Sequence, residues 1–423
     1  MQVRCSRHYR QRGAMIITAA LMLLFLLGFM GIALDFGHLF VVRTELQTAV
    51  DSCALAAARE LDKQGTAIAR GQSAGQTAGN ANRVNMQSAT WSGQGKIVFA
   101  DITFRDASYA PTTDPLAATY AQCVHTQPNI VIWLMQAMGA FSGNAAAYPA
   151  TSSVAATAVA TRASAQTTCP IPVGMKPKNG AGAPNYGFAV GEWVKLIQAQ
   201  SGAAGGEIGW ANLDGSNSAS ETESEMNNHC GTKVGDTLGT PGVQTSIVDV
   251  WNQRFGIYKN TGDPSTQRPD YTGYAYTDLS WPAKFNAYDG PAPGSPASAQ
   301  NFLAKRAAFA SCADTGTKVN GANSCESITG LSLNSFQKLA APGNVAGGHK
   351  QYGLDRRIVT APIIDGAGHV IDYACLLMLQ PLSIPMTDTW LEFRGNAGAV
   401  GSPCTTSGLA GGTAGPLVPV LVR

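Results

Sequence analysis

The chain has 423 residues, and its 29 Lys and Arg residues nearly balance its 27 Asp and Glu residues. Charged residues make up only 13% of the chain, and the basic residues form no cluster beyond the first 12 positions, which argues against binding to nucleic acid or another polyanion. The length allows one large or two medium domains with their own hydrophobic cores.

The N-terminus combines a basic segment with a long apolar segment. Residues 1–13 contain no acidic residue and four arginines, at positions 4, 7, 10 and 12. Residues 14–34 are uncharged and mostly apolar, and as a helix they would span roughly 30 Å, the thickness of the hydrocarbon core of a bilayer. The excess of arginine places residues 1–13 in the cytoplasm and the residues from Asp35 onward outside it. We therefore expect one transmembrane helix, anchored by Ala14, Leu21, Leu24, Phe25 and Leu34.

Two processing routes compete with an uncut anchor. A secretory signal peptide usually has an apolar region of about 7 to 15 residues that ends at a small-x-small cleavage site. The present segment is longer and continues into another helical pattern, which favours an uncut helix. Cleavage after Gly13, the third option, would leave a mature chain that begins at Ala14.

A second helical pattern covers residues 35–65. Its apolar residues recur at steps of three and four, which predicts a helix with one apolar stripe that stops near Gly65. The stripe that we expect to face partner subunits consists of Leu39, Val42, Leu46, Val50 and Ala57. Such a stripe serves either as a contact surface for partners or as the face that docks on the protein's own domain, and both interpretations are open at this stage.

Three short segments lie beside or within these two helical patterns: Arg12-Gly13, residues 33–37 (ALDFG) and residues 44–56 (TELQTAVDSCALA). Together they resemble the N-terminal module of the TadE/TadG-like proteins of Flp, or tight-adherence, pilus assembly. The resemblance implies a component of a pilus assembly machine, anchored once in the bacterial inner membrane with its bulk in the periplasm. True type IV prepilins usually carry Glu five residues after the cleavage glycine, and the corresponding residue here is Thr18, which argues against a major pilin.

Nine cysteines fall on two sides of the predicted membrane. Cys5 precedes the apolar segment, and the other eight follow it, at positions 53, 123, 169, 230, 312, 325, 375 and 404. An even number on the oxidising side permits up to four disulfides, whose pairing the sequence alone does not decide. Cys312 and Cys325 are the closest pair and enclose a polar loop, so we expect this disulfide first.

The elements predicted after residue 65 indicate the α+β fold class. Residues 66–170 are expected to form a small α+β domain, with a weak Ala- and Gly-rich helix and with strands near 96–104, 118–124 and 154–162. Residues 171–423 are expected to form a strand- and loop-rich periplasmic domain, stapled by disulfides. Its clearest strands lie at 357–364, 369–380 and 391–394, and the Pro-, Gly- and Tyr-rich residues 264–300 predict irregular loops rather than core.

One five-residue motif matches the sequence pattern of a known kind of metal site. Asp214, Ser216 and Ser218 match the Asp-x-Ser-x-Ser pattern of the von Willebrand A adhesion site, in which an Asp and two hydroxyls ligate Mg²⁺ at the end of a buried strand. The five residues before Asp214, GWANL, do not read as an apolar strand. We therefore expect a polar turn here, and no metal or other cofactor.

The remaining residues show no catalytic pattern. The histidines lack metal-ligand spacing, and no Gly-x-Ser-x-Gly nucleophile motif is present. We expect no enzymatic activity, no small-molecule substrate and no nucleic acid partner. The favoured function is a non-catalytic, membrane-anchored component of pilus assembly that contacts the bilayer and pilus or secretion-machinery subunits. The alternative is a surface adhesin or binding module, with or without a metal at Asp214.

Overall fold

The computed structural model describes residues 12–134, 149–197, 202–241, 246–259, 261–291, 300–312, 325, 329–333, 336, 338–341 and 346–422. The fold class is confirmed: a long N-terminal helix is followed by mixed helices and strands that carry paired cysteines. Most of the basic tail and Cys5 lie outside the described residues. The chain divides into two compact units, unit 1 (Met1–Arg162 with Pro419–Arg423) and unit 2 (Ala163–Val418).

The described residues of unit 1 form two α-helices and a four-stranded sheet. Helix α1 (Arg12–Arg59) runs without interruption from the apolar segment into the second helical pattern, and α2 (Ala67–Asn80) follows it. Two short 3₁₀ turns, Trp91–Gly93 and Phe99–Asp101, precede the strands. The sheet has the order β1-β2-β3-β12, made of β1 (Ile102–Arg105), β2 (Tyr120–Val131), β3 (Thr151–Ser164) and β12 (Leu417–Leu421). Residues 35–65, expected as a helix separate from the domain at 66–170, thus pack in one hydrophobic core with the sheet strands of unit 1.

The helices of unit 1 approach each other closely because their facing residues are small. Three glycines of α2 at a spacing of four, Gly71, Gly75 and Gly79, are buried. A Cβ atom on Gly75 would lie 3.1 Å from the carbonyl oxygen of Cys53 and 3.2 Å from Cβ of Ala57, both on α1. A disulfide between Cys53 and Cys123 links α1 to β2. Backbone proximity of this kind needs small side chains on both helices, as the alanines and glycines supply.

Unit 2 is built around a closed six-stranded barrel. The barrel strands are β4 (Val173–Met175), β5 (Trp193–Ile197), β6 (Ile208–Trp210), β9 (Ile358–Ile364), β10 (Val370–Met378) and β11 (Thr389–Asn396). They close in the order β10-β11-β5-β6-β4-β9, and β7 (Ile257–Tyr258) pairs with β8 (Lys338–Leu339) separately. The pairs β5–β6 and β4–β9 are parallel and the others are antiparallel. The helices are α3 (Ala219–Asn228), α4 (Ile247–Gln253), α5 (Phe302–Ala307) and α6 (His349–Tyr352).

The described part of residues 264–300 is irregular but is not a surface loop. Tyr274, Tyr276 and Trp281 are buried and pack edge to face with one another. The Tyr276 hydroxyl donates to the carbonyl oxygen of Gln300, at 2.9 Å, and the Trp281 indole N–H donates to the carbonyl oxygen of Phe285, at 2.9 Å. Because these polar atoms have partners, the aromatic rings can enter the core without regular secondary structure.

Three further disulfides lie in unit 2. They join Cys169 to Cys230, Cys312 to Cys325, and Cys375 to Cys404. The structure therefore brings together Cys312 and Cys325, the pair expected first from the sequence. All eight cysteines after the apolar segment are paired.

Candidate functional site: the membrane-proximal module

The first half of α1 is the one helix among the described residues that is long and apolar enough to cross a membrane. Four of the expected anchor side chains, Leu21, Leu24, Phe25 and Leu34, are at least half exposed. Ala14 lies in the helix, and its side chain is outside the described ones. An apolar helical surface without protein cover is what a lipid-facing segment requires.

Asp35, directly after the apolar segment, holds the end of β2. Its side chain is fully buried and accepts hydrogen bonds from the backbone N–H of Trp133, at 3.0 Å, and of Leu134, at 2.8 Å. One turn later, the His38 ring stacks on the Trp133 ring, with 4.8 Å between centroids. The Asp35 carboxylate therefore satisfies two N–H groups that the β-ladder leaves without a strand partner.

Glu45 holds a strained turn in the same module. Asn85, Met86 and Gln87 are three consecutive non-glycine residues with positive φ, a conformation that persists only where other contacts enforce it. The Glu45 carboxylate accepts from the backbone N–H of Met86, at 2.9 Å, and of Gln87, at 3.0 Å. His38 lies 3.3 Å from the Asn85 amide oxygen. Successive N–H groups in a turn form a concave site for an anion, which Glu45 supplies from within the chain.

The apolar stripe of α1 faces the protein's own core. Val42, Leu46, Val50 and Ala57 are fully buried in unit 1, and Leu39 packs against the same cluster. They cannot contact a partner subunit in this structure, and the alternative interpretation, docking on the protein's own domain, describes them. Replacing Leu46 or Val50 by Asp would accordingly place a charge in the core of unit 1 rather than test a partner surface.

The exposed face of α1 consists of other residues. Phe36, Phe40 and Val41 are exposed next to the apolar segment, and they are followed by the exposed hydroxyl residues Thr44 and Thr48. These aromatic residues do not belong to the longer and more regular stripe from which the helix was predicted. Phe36 and Phe40 are four residues apart, so they lie next to each other on one face of α1, outside that stripe. This spacing is the sequence signal that identifies them.

The residues of the candidate metal motif form a hydrogen-bonded turn. The Ser216 backbone N–H donates to Asp214 Oδ1, at 2.9 Å, and the Asn212 side-chain amide donates to Ser216 Oγ and to the carbonyl oxygen of Ser218, at 3.1 and 2.8 Å. The Asp214 N–H donates to Glu225, whose pKa is raised by burial. Within the described ranges, no group of three or more His, Cys, Asp or Glu side chains is arranged to hold a metal ion. The hydrogen bonds among residues 212–218 make this segment a polar turn in the structure.

A cavity of about 560 Å³ lies in unit 2 and is lined in part by Arg254, Arg306 and Arg356. Buried Arg254 donates to the backbone oxygens of Arg356, at 2.9 Å, and of Met226, and burial together with the Arg356 charge lowers the pKa of Arg254 to about 9. Arg306 pairs with Asp355. These guanidinium groups are thus bound by oxygens of the chain itself, and they tie the walls of the cavity together.

Residues 13–60 match the Tad family model, which describes Flp pilus-assembly TadE/G-like proteins. The match begins just inside α1 and ends one residue beyond it, so it covers the apolar segment, Asp35, Glu45 and the buried stripe. The resemblance of the N-terminal module is confirmed, and it supports a role in pilus assembly. No curated protein and no solved structure matches the chain.

Proposed function

We propose that this chain is a non-catalytic component of tight-adherence pilus assembly, anchored in the bacterial inner membrane by α1. Residues 1–13 lie in the cytoplasm, and the parts of both units that follow Leu34 lie in the periplasm, where they contact pilus or secretion-machinery subunits. The observation that carries the proposal is the coincidence of the family match with a single continuous helix. The first half of that helix is apolar and exposed, and its second half is part of the core of unit 1.

The topology can be tested with Cys5 as a natural probe. Because all eight later cysteines form disulfides, Cys5 is the residue that a maleimide can modify in the oxidised protein. A membrane-impermeant maleimide should leave the chain unlabelled in intact spheroplasts and should add one label after permeabilisation. Cys5→Ser is the control, which should remain unlabelled in both states. Labelling of Cys5 in intact spheroplasts would contradict the cytoplasmic assignment.

The role in assembly can be tested by complementation in the native host. A strain without the gene should lose surface pili and adherence, and the full-length chain should restore both. A chain in which residues 1–34 are replaced by a cleavable signal peptide would release both units into the periplasm, and we expect it to fail. Normal piliation of the deletion strain would refute the proposed role, and full rescue by the released chain would refute the need for the anchor.

A catalytic role can be tested at one exposed His–Asp pair. His369 Nδ1 lies 3.2 Å from Asp365 Oδ2, an arrangement that some enzymes use as a general base. Asp365 also accepts from the backbone N–H of His369, and this bond contributes most to lowering the pKa of the carboxylate. The pair therefore stabilises the turn between β9 and β10. His369→Gln should leave piliation unchanged, whereas loss of pili with an intact fold would argue for a catalytic role.

A further inference from the structure

Four large apolar side chains are exposed at the level where α1 leaves the apolar segment. Phe36 and Phe40, on α1, are 47% and 63% exposed, and Trp133 and Leu134, just after β2, are 54% and 40% exposed. We call these four residues the apolar collar. Exposed apolar side chains gathered at one level of a protein mark an interaction surface.

The depth of the collar follows from its contacts with α1. A Cβ atom on Gly31 would lie 2.9 Å from Cβ of Leu134, so Leu134 lies beside Gly31. Gly31 precedes Leu34 by three residues, which places Leu134 about 4.5 Å inside the end of the predicted span. Phe36 and Phe40 follow Leu34 at about 3 and 9 Å along the helix. Since the interfacial layer is roughly 5 to 8 Å thick on each side of a bilayer, the collar brackets that layer.

The backbone N–H groups of residues 132–134 are all bonded to acceptors within the protein, as a poorly hydrated environment requires. Non-helical backbone at the membrane must have its N–H groups satisfied by protein. The N–H of Ile132 donates to the carbonyl oxygen of Ala150, at 2.9 Å, and the next two N–H groups donate to the Asp35 carboxylate. The Asp35 charge is itself buried and does not face the lipid. Trp133 stacks on His38 with one face and exposes the rest of its ring.

We propose that the apolar collar spans the interfacial layer of the bilayer that α1 crosses, from Leu134 at the edge of the hydrocarbon core to Phe40 at the outer edge of the layer, with Trp133 at the level of the lipid headgroups. Unit 1 then binds lipid directly and not only through its helix. Trp is the residue type typical of this layer, because its ring is apolar while its indole N–H remains hydrated. This inference rests on the proposed membrane anchoring and adds a second lipid contact to it.

The test is tryptophan quenching by brominated lipid. The full-length chain is reconstituted into phosphatidylcholine liposomes that carry bromine near the headgroup end or near the methyl end of the acyl chains. The chain has seven tryptophans, so the difference between wild type and Trp133→Phe isolates Trp133. We expect Trp133→Phe to remove at least half of the quenching, and the shallow bromines to quench more than the deep ones. Equal quenching of wild type and Trp133→Phe would overturn the proposal, as would stronger quenching by the deep bromines.

Three further variants test whether the quenching depends on Trp133 and on its position. Trp390→Phe, at a half-buried position in unit 2, should leave the quenching unchanged. Asp35→Ala removes the acceptor that holds Trp133 and Leu134, and it should reduce the quenching, whereas Asp35→Asn keeps one acceptor oxygen and should retain more of it. Equal quenching in Asp35→Ala and wild type would show that Asp35 does not position Trp133.

Failure of the collar can be told apart from failure of the anchor. Alkaline carbonate strips proteins that lie on a membrane and leaves transmembrane proteins in place. If the full-length chain is removed by carbonate, the proposed anchoring fails and the collar fails with it. If the chain resists carbonate and Trp133 is unquenched in pure lipid, only the collar proposal is overturned, and the surface is then assigned to a partner protein.

Discussion

The closest packing in the two units involves side chains of different size. The interface between α1 and α2 in unit 1 is made of small residues, including Ala49, Ala54, Ala57, Ala58, Gly71, Gly75 and Gly79. Unit 2 buries large ones, including Trp210, Trp251, Phe255 and Phe336, and the fully buried guanidinium of Arg357. Unit 1 should therefore be sensitive to added volume, whereas unit 2 should be sensitive to lost volume. The experiments below use the full-length chain in detergent, with hydrogen exchange read separately for peptides of each unit.

The largest effect is expected when volume is removed from unit 2. The Trp251 ring packs edge to face on Trp210, at 5.5 Å between centroids, and its N–H donates to the carbonyl oxygen of Gln380, at 3.0 Å. Trp251→Ala should lower the free energy of unfolding of unit 2 by about 4 kcal/mol and leave unit 1 unchanged. The matched control is Leu409→Ala at an exposed position, which should change it by less than about 0.5 kcal/mol.

Removal of a disulfide should cost more in unit 1 than in unit 2. Cys53 and Cys123 are 70 residues apart, whereas Cys312 and Cys325 are 13 apart. Replacing the first pair by Ala should destabilise unit 1 by about 4 kcal/mol. Loop entropy predicts a cost about 1.5 kcal/mol lower for the second pair. An equal or larger cost for the Cys312–Cys325 pair would show that loop length does not control the difference.

Added side-chain volume should destabilise unit 1 even when the substitution raises the helix propensity of α2. A Cβ atom at Gly75 would meet α1 at 3.1 to 3.2 Å, so Gly75→Ala should cost about 2 kcal/mol. Exposed Ser73 on the same helix is the control, because Ser73→Ala should be slightly stabilising through helix propensity alone. If the Gly75→Ala and Ser73→Ala variants have equal free energies of unfolding, close backbone approach between α1 and α2 does not stabilise unit 1.

The smallest expected change concerns the turn that Glu45 holds. Glu45→Ala removes the acceptor for two backbone N–H groups, and it should destabilise the turn by about 1 kcal/mol. The measurement is the exchange rate of the Met86 and Gln87 amides, which should rise several-fold. Thr48→Ala, on the exposed side of α1, should leave both rates unchanged. If Glu45→Ala leaves them unchanged as well, the strained turn is enforced by other contacts.

The sequence was informative where a pattern is long and local. The apolar and amphipathic patterns of α1, the Ala- and Gly-rich α2, and the long strands β2, β3, β9 and β10 were all expected near their observed positions. The proximity of Cys312 and Cys325 along the chain also pointed to the pair that the structure contains. Each of these signals arises within one segment, so it does not depend on the rest of the fold.

The barrel and the membrane-proximal contacts could not be predicted from local sequence patterns. Strands β4 and β6 have three residues each, and both contain a glycine, which is too short for an alternating pattern. Pairings such as β4 with β9 join residues that are far apart along the chain. The partners of Asp35 were equally hidden, because nothing local in the sequence connects a carboxylate at the end of the apolar segment of α1 with the amides of Trp133 and Leu134.

The position of β12 has a consequence for how the protein is made. This strand lies beside β3 at the edge of the sheet of unit 1, and the N–H of Val422 donates to the carbonyl oxygen of Val159, at 2.8 Å. During synthesis, α1 through β3 emerge first, and residues 165–416 must follow before β12 is available. A chain truncated anywhere in unit 2 therefore leaves β3 as an open edge, which proteases and chaperones recognise. The sheet of unit 1 is therefore complete only after β12 has been synthesised.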